Sequence, residues 1–155
     1  MTSTLEWEQI LRRRGLKLPS PPKPVGAYRP VVICGGLAYL SGQISKDPEG
    51  KLLTGKVGAE LTLEAGRRAA EWAVLQAVSL LQSEIGFDRV EQIVRLVGYV
   101  QSASEFYAQS DVMNAASELL VEIFGEKGRH ARTSIGAASL PLNAAVEVEL
   151  TVKLR

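Results

Sequence analysis

The last ten residues before the C-terminal arginine, "AVEVELTVKL", alternate without a break. Val146, Val148, Leu150, Val152 and Leu154 fall on one side, and Ala145, Glu147, Glu149, Thr151 and Lys153 on the other. A period of two places successive side chains on opposite faces of a sheet. This segment must therefore be a strand with one buried face and one polar face. Whatever covers the buried face has to come from elsewhere in the chain. Two segments supply helical patterns. In the first, about Leu63 to Glu84, Leu63, Ala70, Val74, Ala77, Val78, Leu81 and Ile85 recur at helical spacing, with Thr62 as the cap and Gly86 as the stop. In the second, starting at Ser102 or Ser104, Val112, Met113, Ala116, Leu119, Leu120, Ile123 and Phe124 form the apolar stripe and Gly125 ends the helix.

The remaining apolar runs read as strands. "VVIC" and "LAYLSG" flank Gly35-Gly36, a pair suited to the positive φ angles of a two-residue hairpin. Val90 to Val100 and Ala131 to Ala138 complete the set. The order β-β-α-β-α-β-β places both helices on one face of a mixed sheet, an α+β domain of two layers. The other face, with Ser134, Gly136, Glu147 and Glu149, is left for solvent or for a second subunit. Ahead of this body, residues 1–24 form a separate segment. Leu5 to Arg14 is a short helix capped by Thr4, and "LPSPPKPVG" carries four prolines that favour an extended, stiff connector. The body, 25–155, is one domain.

Composition excludes several classes of function. The 18 basic and 17 acidic residues leave a net charge of +1, without the basic stripe of a nucleic-acid-binding surface. One cysteine and one histidine exclude an internal disulfide and a metal site built on several such ligands. Cys34, within "VVIC", reads as a buried, inert thiol. No apolar run is long enough for a membrane span, and "MTSTLEWEQILRRRG" lacks the apolar core of a signal peptide, which points to the cytoplasm. His130, next to Lys127 and Arg129, reads as part of a solvated patch.

Arg132 is the residue that raises a chemical question. It starts a strand of small and apolar residues, and a guanidinium in such a place needs an anionic partner or open water. If the last two strands form a hairpin around Pro141 and Leu142, Arg132 pairs near Thr151 and Glu147 near Gly136. The two are then about 13 Å apart at ~3.3 Å per residue, and the arginine fork stays free for an external carboxylate.

"SGQI" at Ser41 to Ile44, "GRRAAEWAVLQAVSLL" and "ARTSIGAASLPLNAAVEVEL" together resemble the Rid family, the YjgF-like reactive-intermediate deaminases. The resemblance covers about Val25 to Leu154. Its most specific part is the spacing R-(x)8-P-(x)5-E, matched by Arg132, Pro141 and Glu147. It implies a chorismate-mutase-like fold and a homotrimer with sites in the clefts between subunits. It also implies hydrolysis of 2-enamine and 2-imine acids to 2-keto acids and ammonia, with no cofactor or metal. Under that resemblance Arg132 holds the substrate carboxylate and Glu147 positions the attacking water. Tyr28, in Gly26-Ala27-Tyr28, lines the cleft; Ser41 matches the "SGQ" serine, and Asn114 falls near a family asparagine. Ser134 stands where deaminating members often have cysteine, and a backbone carbonyl near it is a second holder for the water. A different class of function fits the same residues: a non-enzymatic trimeric module that binds a small carboxylate such as a keto acid. Ribonuclease activity, recorded for some relatives, fits the near-neutral charge and single histidine least.

Overall fold

The alternating C-terminal strand is the centre of the sheet. The computed structural model describes residues 4–155, with side chains from Glu6 onward. The cap expected at Thr4 lies outside the described side chains. The elements run α1 (Thr4–Arg13), β1 (Val31–Cys34), β2 (Leu37–Leu40), β3 (Gln43–Ile44), α2 (Leu63–Glu84), β4 (Val90–Gln101), α3 (Gln109–Phe124), β5 (Ala131–Ala137) and β6 (Val146–Leu154). The sheet order is β1-β2-β6-β4-β5, with the two-residue β3 also paired to β6. Only β4 and β5 are parallel, joined through α3. The expected two-layer α+β architecture therefore holds, with one short strand more than the sequence pattern suggests.

Each local signal has its physical counterpart. Gly35 and Gly36 take φ of 59° and 77°, the left-handed pair that closes a tight β1–β2 hairpin. Thr62 Oγ1 accepts a hydrogen bond from the Ala65 N–H at 3.1 Å and so satisfies one free donor at the start of α2. Gly86, at φ 98°, ends that helix with its N–H bonded to the Leu81 carbonyl at 3.0 Å. In β6 Val146, Val148, Leu150, Val152 and Leu154 are all buried beneath the helices, while Glu147, Glu149 and Thr151 are only partly covered. Ala69, Ala70, Ala73 and Ala77 are fully buried in α2. Small side chains there let the helix approach both the sheet and α3 closely.

Three expectations are corrected. β5 and β6 do not form a hairpin: both pair with β4, one on each side. The connection between them passes through a turn at Pro141–Asn143 in which Leu142 and Asn143 have φ of 58° and 60°. It carries the chain past the end of β4 to the far side, where β6 finds hydrogen-bonding partners along both edges. α3 starts at Gln109, not at Ser102 or Ser104. Ser102 follows β4 directly, and its hydroxyl accepts from Gln109 Nε2 at 3.3 Å. Cys34 is exposed. β1 is an edge strand beyond the cover of the helices, and only Val31 in it is partly buried.

The N-terminal segment packs on this same body. Trp7 and Leu11 join the core, and Trp7, Phe87 and Phe124 stack edge to face at 5.2 and 5.1 Å between ring centres. Arg14 bridges Glu71 at 2.7 Å and Glu122 at 3.0 Å. The helix-free face of the sheet exposes Val32, Tyr39, Val94 and Ile135. Among the described residues no helix is long and apolar enough to cross a membrane.

One glycine controls how β5 is entered. A Cβ on Gly128 would lie 2.2 Å from the Leu120 carbonyl oxygen and 3.0 Å from Val121 Cα, both backbone atoms that cannot swing aside. Gly128→Ala is expected to destabilise the fold by about 1–3 kcal/mol, as overpacked sites do, measured by urea unfolding.

Candidate active site

Arg132 lies on β5, the outer strand, beside Leu96 of β4, and points to the face covered by α3. Its Nη1 donates to Asn114 Oδ1 at 2.9 Å and to Ser117 Oγ at 3.1 Å, and its Nη2 to the Ser110 carbonyl at 3.2 Å. All three acceptors are neutral and all come from α3. Among the described residues no carboxylate pairs with this cation. The helix therefore fixes the direction of the fork and leaves its charge uncompensated.

His130 completes this cluster. The expected solvated position is not what the fold gives it: the ring is partly buried and both nitrogens are engaged. Nδ1 is 2.6 Å from the Gly128 carbonyl and Nε2 is 2.9 Å from Ser117 Oγ. A carbonyl can only accept, so Nδ1 carries the proton and Nε2 receives the Ser117 hydroxyl. Burial, with the Arg132 charge as a smaller contribution, pushes the His130 pKa below its ordinary 6.5, against the opposing pull of the Gly128 carbonyl. The result is a directed chain, Arg132 to Ser117 to His130 to the Gly128 carbonyl, that aims the guanidinium. Two residues along β5, on this same helix-covered face and not on the helix-free face expected for it, the Ser134 hydroxyl is buried and has no partner among the described residues.

A second cluster gathers around Glu147. It alternates with buried Val146 and Val148, so its carboxyl leaves the helix-covered face. A Cβ on Gly42 would fall 2.3 Å from Glu147 Oε1, so a larger residue at that position would displace the carboxyl from this place. Burial, then the neighbouring Glu149 charge, raises the Glu147 pKa above its ordinary 4.5. Among the described residues the Glu147 carboxyl has no hydrogen-bond or ion-pair partner. With Tyr28 and Gln43 it borders a cavity of about 360 Å³. Ser41 is committed to the backbone: its Oγ donates to the Arg29 carbonyl at 2.6 Å and its N–H to the Pro30 carbonyl at 2.9 Å. It tethers the segment that carries Tyr28.

The fold thus brings the expected residues together as two groups, Arg132 with Asn114 and Ser134, and Glu147 with Tyr28 and Ser41. It does not bring the groups to each other. Arg132 sits level with Leu96 and Glu147 level with Tyr99, on strands separated by β4. Three residues along and two strands across amounts to roughly 14 Å, and the two side chains leave opposite faces. Ser110 and Ser117 belong to the first group and were not singled out by the sequence pattern, while His130 was read there only as a solvated residue. Their only signal is position, since Ser110, Asn114 and Ser117 recur at i, i+4 and i+7 on one side of α3. Among the described residues no cluster of three or more His, Cys, Asp or Glu side chains is placed to hold a metal.

A family model described as "YjgF/chorismate_mutase-like, putative endoribonuclease" matches residues 8–154. The chain belongs to the YjgF family. Its relatives include Protein TCP17 of Trypanosoma cruzi, 44% identical over 146 residues that span 93% of this chain and 91% of that protein. A 2-iminobutanoate/2-iminopropanoate deaminase of Dermatophagoides farinae is 27% identical over 141 residues, 90% of this chain and 95% of the relative. The crystal structure of the protein Atu1372 from Agrobacterium tumefaciens matches with a TM-score of 0.89 at 35% identity, covering 97% of this chain and 94% of that one. Within this YjgF-family chain both clusters lie inside the matched region. The N-terminal helix is matched from residue 8 onward as well, in keeping with its packing on the body.

Proposed function

We propose that this YjgF-family protein hydrolyses 2-imino and 2-enamino acids to 2-keto acids and ammonia, in clefts that a second copy of the chain completes. Arg132 of one copy grips the substrate carboxylate through its fork. Glu147 of the neighbouring copy, as the carboxylate, takes a proton from a water that attacks the imine carbon. Glu147 returns the proton to nitrogen, the C–N bond of the carbinolamine breaks, and the departing ammonia carries off the hydroxyl proton as ammonium. A protonated imine and water thus give a keto acid and ammonium, with the proton accounted for at one carboxyl. A raised carboxyl pKa suits a group that must accept and then donate a proton near neutrality. A protonated imine is already electrophilic, so positioning and one acid–base group meet the chemical demand.

The observation that carries this reading is the pair of unpartnered charges, a guanidinium on neutral acceptors and a half-buried carboxyl, on opposite faces of one sheet. The exposed apolar residues on the helix-free face, Val32, Tyr39 and Ile135, support self-association, and a homotrimer is the assembly we propose. The relative named as a 2-iminobutanoate/2-iminopropanoate deaminase supports the substrate class. The experiment couples the protein to an enzyme that releases 2-imino acids and follows keto-acid formation. Acceleration over the uncatalysed hydrolysis is expected. Saturable keto-acid binding without acceleration would replace catalysis with a carboxylate-binding role.

A further inference from the structure

The proline-rich connector does more than join α1 to the body. It is anchored at its start, where Pro19 is buried and its carbonyl accepts from Ser79 Oγ of α2 at 2.5 Å. It is held again near its end, where Ser41 binds the Arg29 and Pro30 carbonyls. Between these anchors Pro22, Pro24 and Val25 line the same 360 Å³ cavity that Glu147 borders, together with Tyr28, Ile44 and Leu142. Proline fixes its own φ and stiffens an extended chain, so the wall is set before any ligand arrives.

Two features mark the cavity as more than a packing gap. Val25 is 95% exposed and Leu142 73% exposed, yet both border this one cleft. Leu142 also holds φ 58°, a conformation that a branched apolar residue rarely adopts. The turn thus holds a large apolar side chain at the cleft and outside the core. The volume is within the range of small-molecule sites, and a three-carbon imino acid would leave most of it empty.

We propose that the connector builds a side-chain pocket next to Glu147, so that the cleft selects 2-imino acids with large apolar side chains over three-carbon ones. The inference rests on the deaminase reading above and names its substrate class. Lys23 and Lys46 also border the cavity, and their long apolar stems suit the same walls.

The test uses the full-length protein with imines released by a D-amino-acid oxidase from alanine, methionine and phenylalanine. Oxidation removes the chirality at Cα, so the products suit the comparison. The expected result is kcat/KM at least about tenfold higher for the phenylalanine and methionine imines than for the alanine imine. In Val25→Asp, a charge placed in the wall should shrink that ratio about tenfold or more. A ratio near one in the wild type, or one that Val25→Asp leaves unchanged, overturns the pocket; a cleft filled by a second copy of the chain would give that result. A binding arm measures pyruvate, 4-methyl-2-oxopentanoate and 2-oxoglutarate by calorimetry. The branched keto acid should bind most tightly, and Val25→Asp should weaken it selectively. Tightest binding of 2-oxoglutarate would assign the cavity to the lysines instead and overturn the proposal. If no imine is turned over, the deaminase reading fails by itself, and the binding arm still decides the pocket.

Discussion

Arg132→Ala is expected to lower kcat/KM for keto-acid release at least about 100-fold while leaving the protein folded. Hydrogen bonds to a charged group contribute about 1.5–3 kcal/mol each, and a carboxylate gripped by a fork makes two. Since ~1.4 kcal/mol is a factor of ten, losing both removes two orders of magnitude or more. The fold should tolerate the change because no ion pair is broken; the three acceptors of Arg132 are neutral groups on α3. Arg132→Lys is the informative companion. It keeps a positive charge but loses the planar fork, and should fall between the wild type and alanine. Steady-state kinetics with a parallel melting curve check both. An Arg132→Ala variant with unchanged kinetics would remove the carboxylate site.

Glu147→Gln should lower kcat about 10²–10⁴-fold, the range for a single acid–base group, and should stabilise the protein at neutral pH. The two effects have one cause. Burial raises the Glu147 pKa above 4.5, so between the ordinary value and the raised one the folded chain holds a proton that the unfolded chain has lost. Stability attributable to this group therefore falls as pH rises through that window, and above it the ionised carboxyl burdens the fold. Glutamine removes the burden. The difference in Tm between variant and wild type should be largest above the window and vanish as pH falls below the ordinary carboxylate value. Activity should follow the opposite course, rising with pH as Glu147 ionises to become the base. A carboxyl kept half-buried beside Glu149, at a cost to stability, is what a functional group looks like in the energetics. A variant that loses activity but melts at the wild-type temperature at every pH would deny that strain.

Much of this was legible in the residues, and the reasons differ by element. β6 declares itself because alternation has no other solution, and the β1–β2 hairpin because two adjacent glycines have a use at positive φ. Thr62 and Gly86 mark the ends of α2 through hydrogen bonds that are local in sequence. The pairing of β5 and β6 was not legible by the same means. Alternation fixes which face a strand buries and says nothing about which neighbour it chooses. The eight residues from Ala138 to Ala145 were the available signal. A loop of that length, with a proline inside it, exceeds the 2–5 residues that usually close a hairpin. Cys34 failed for a related reason. An apolar run near a turn reads as core, but an edge strand outside the cover of the helices exposes the same residues.

The site divides in the same way. Arg132 was legible because its charge stands out against small neighbours, and Glu147 because its distance from Arg132 and Pro141 carries the family resemblance. Ser117 was hidden, and His130 was misread as solvated. Their partnership spans a helix and a strand entry, and a serine at the helix surface looks like any solvated residue. The opposite facing of Arg132 and Glu147 follows only once β4 is known to lie between β5 and β6.

The most direct measurement of the proposed shared cleft mixes two variants that are each expected to be inactive. Arg132→Ala and Glu147→Gln are co-refolded in equal amounts, so that their subunits combine at random. If each site takes its arginine from one copy and its glutamate from another, about one site in four regains both groups, whatever the number of subunits in the ring. Recovery of about a quarter of the wild-type rate is the predicted result. A mixture as inactive as its two components, despite demonstrated subunit exchange, would show that the two groups never meet across an interface.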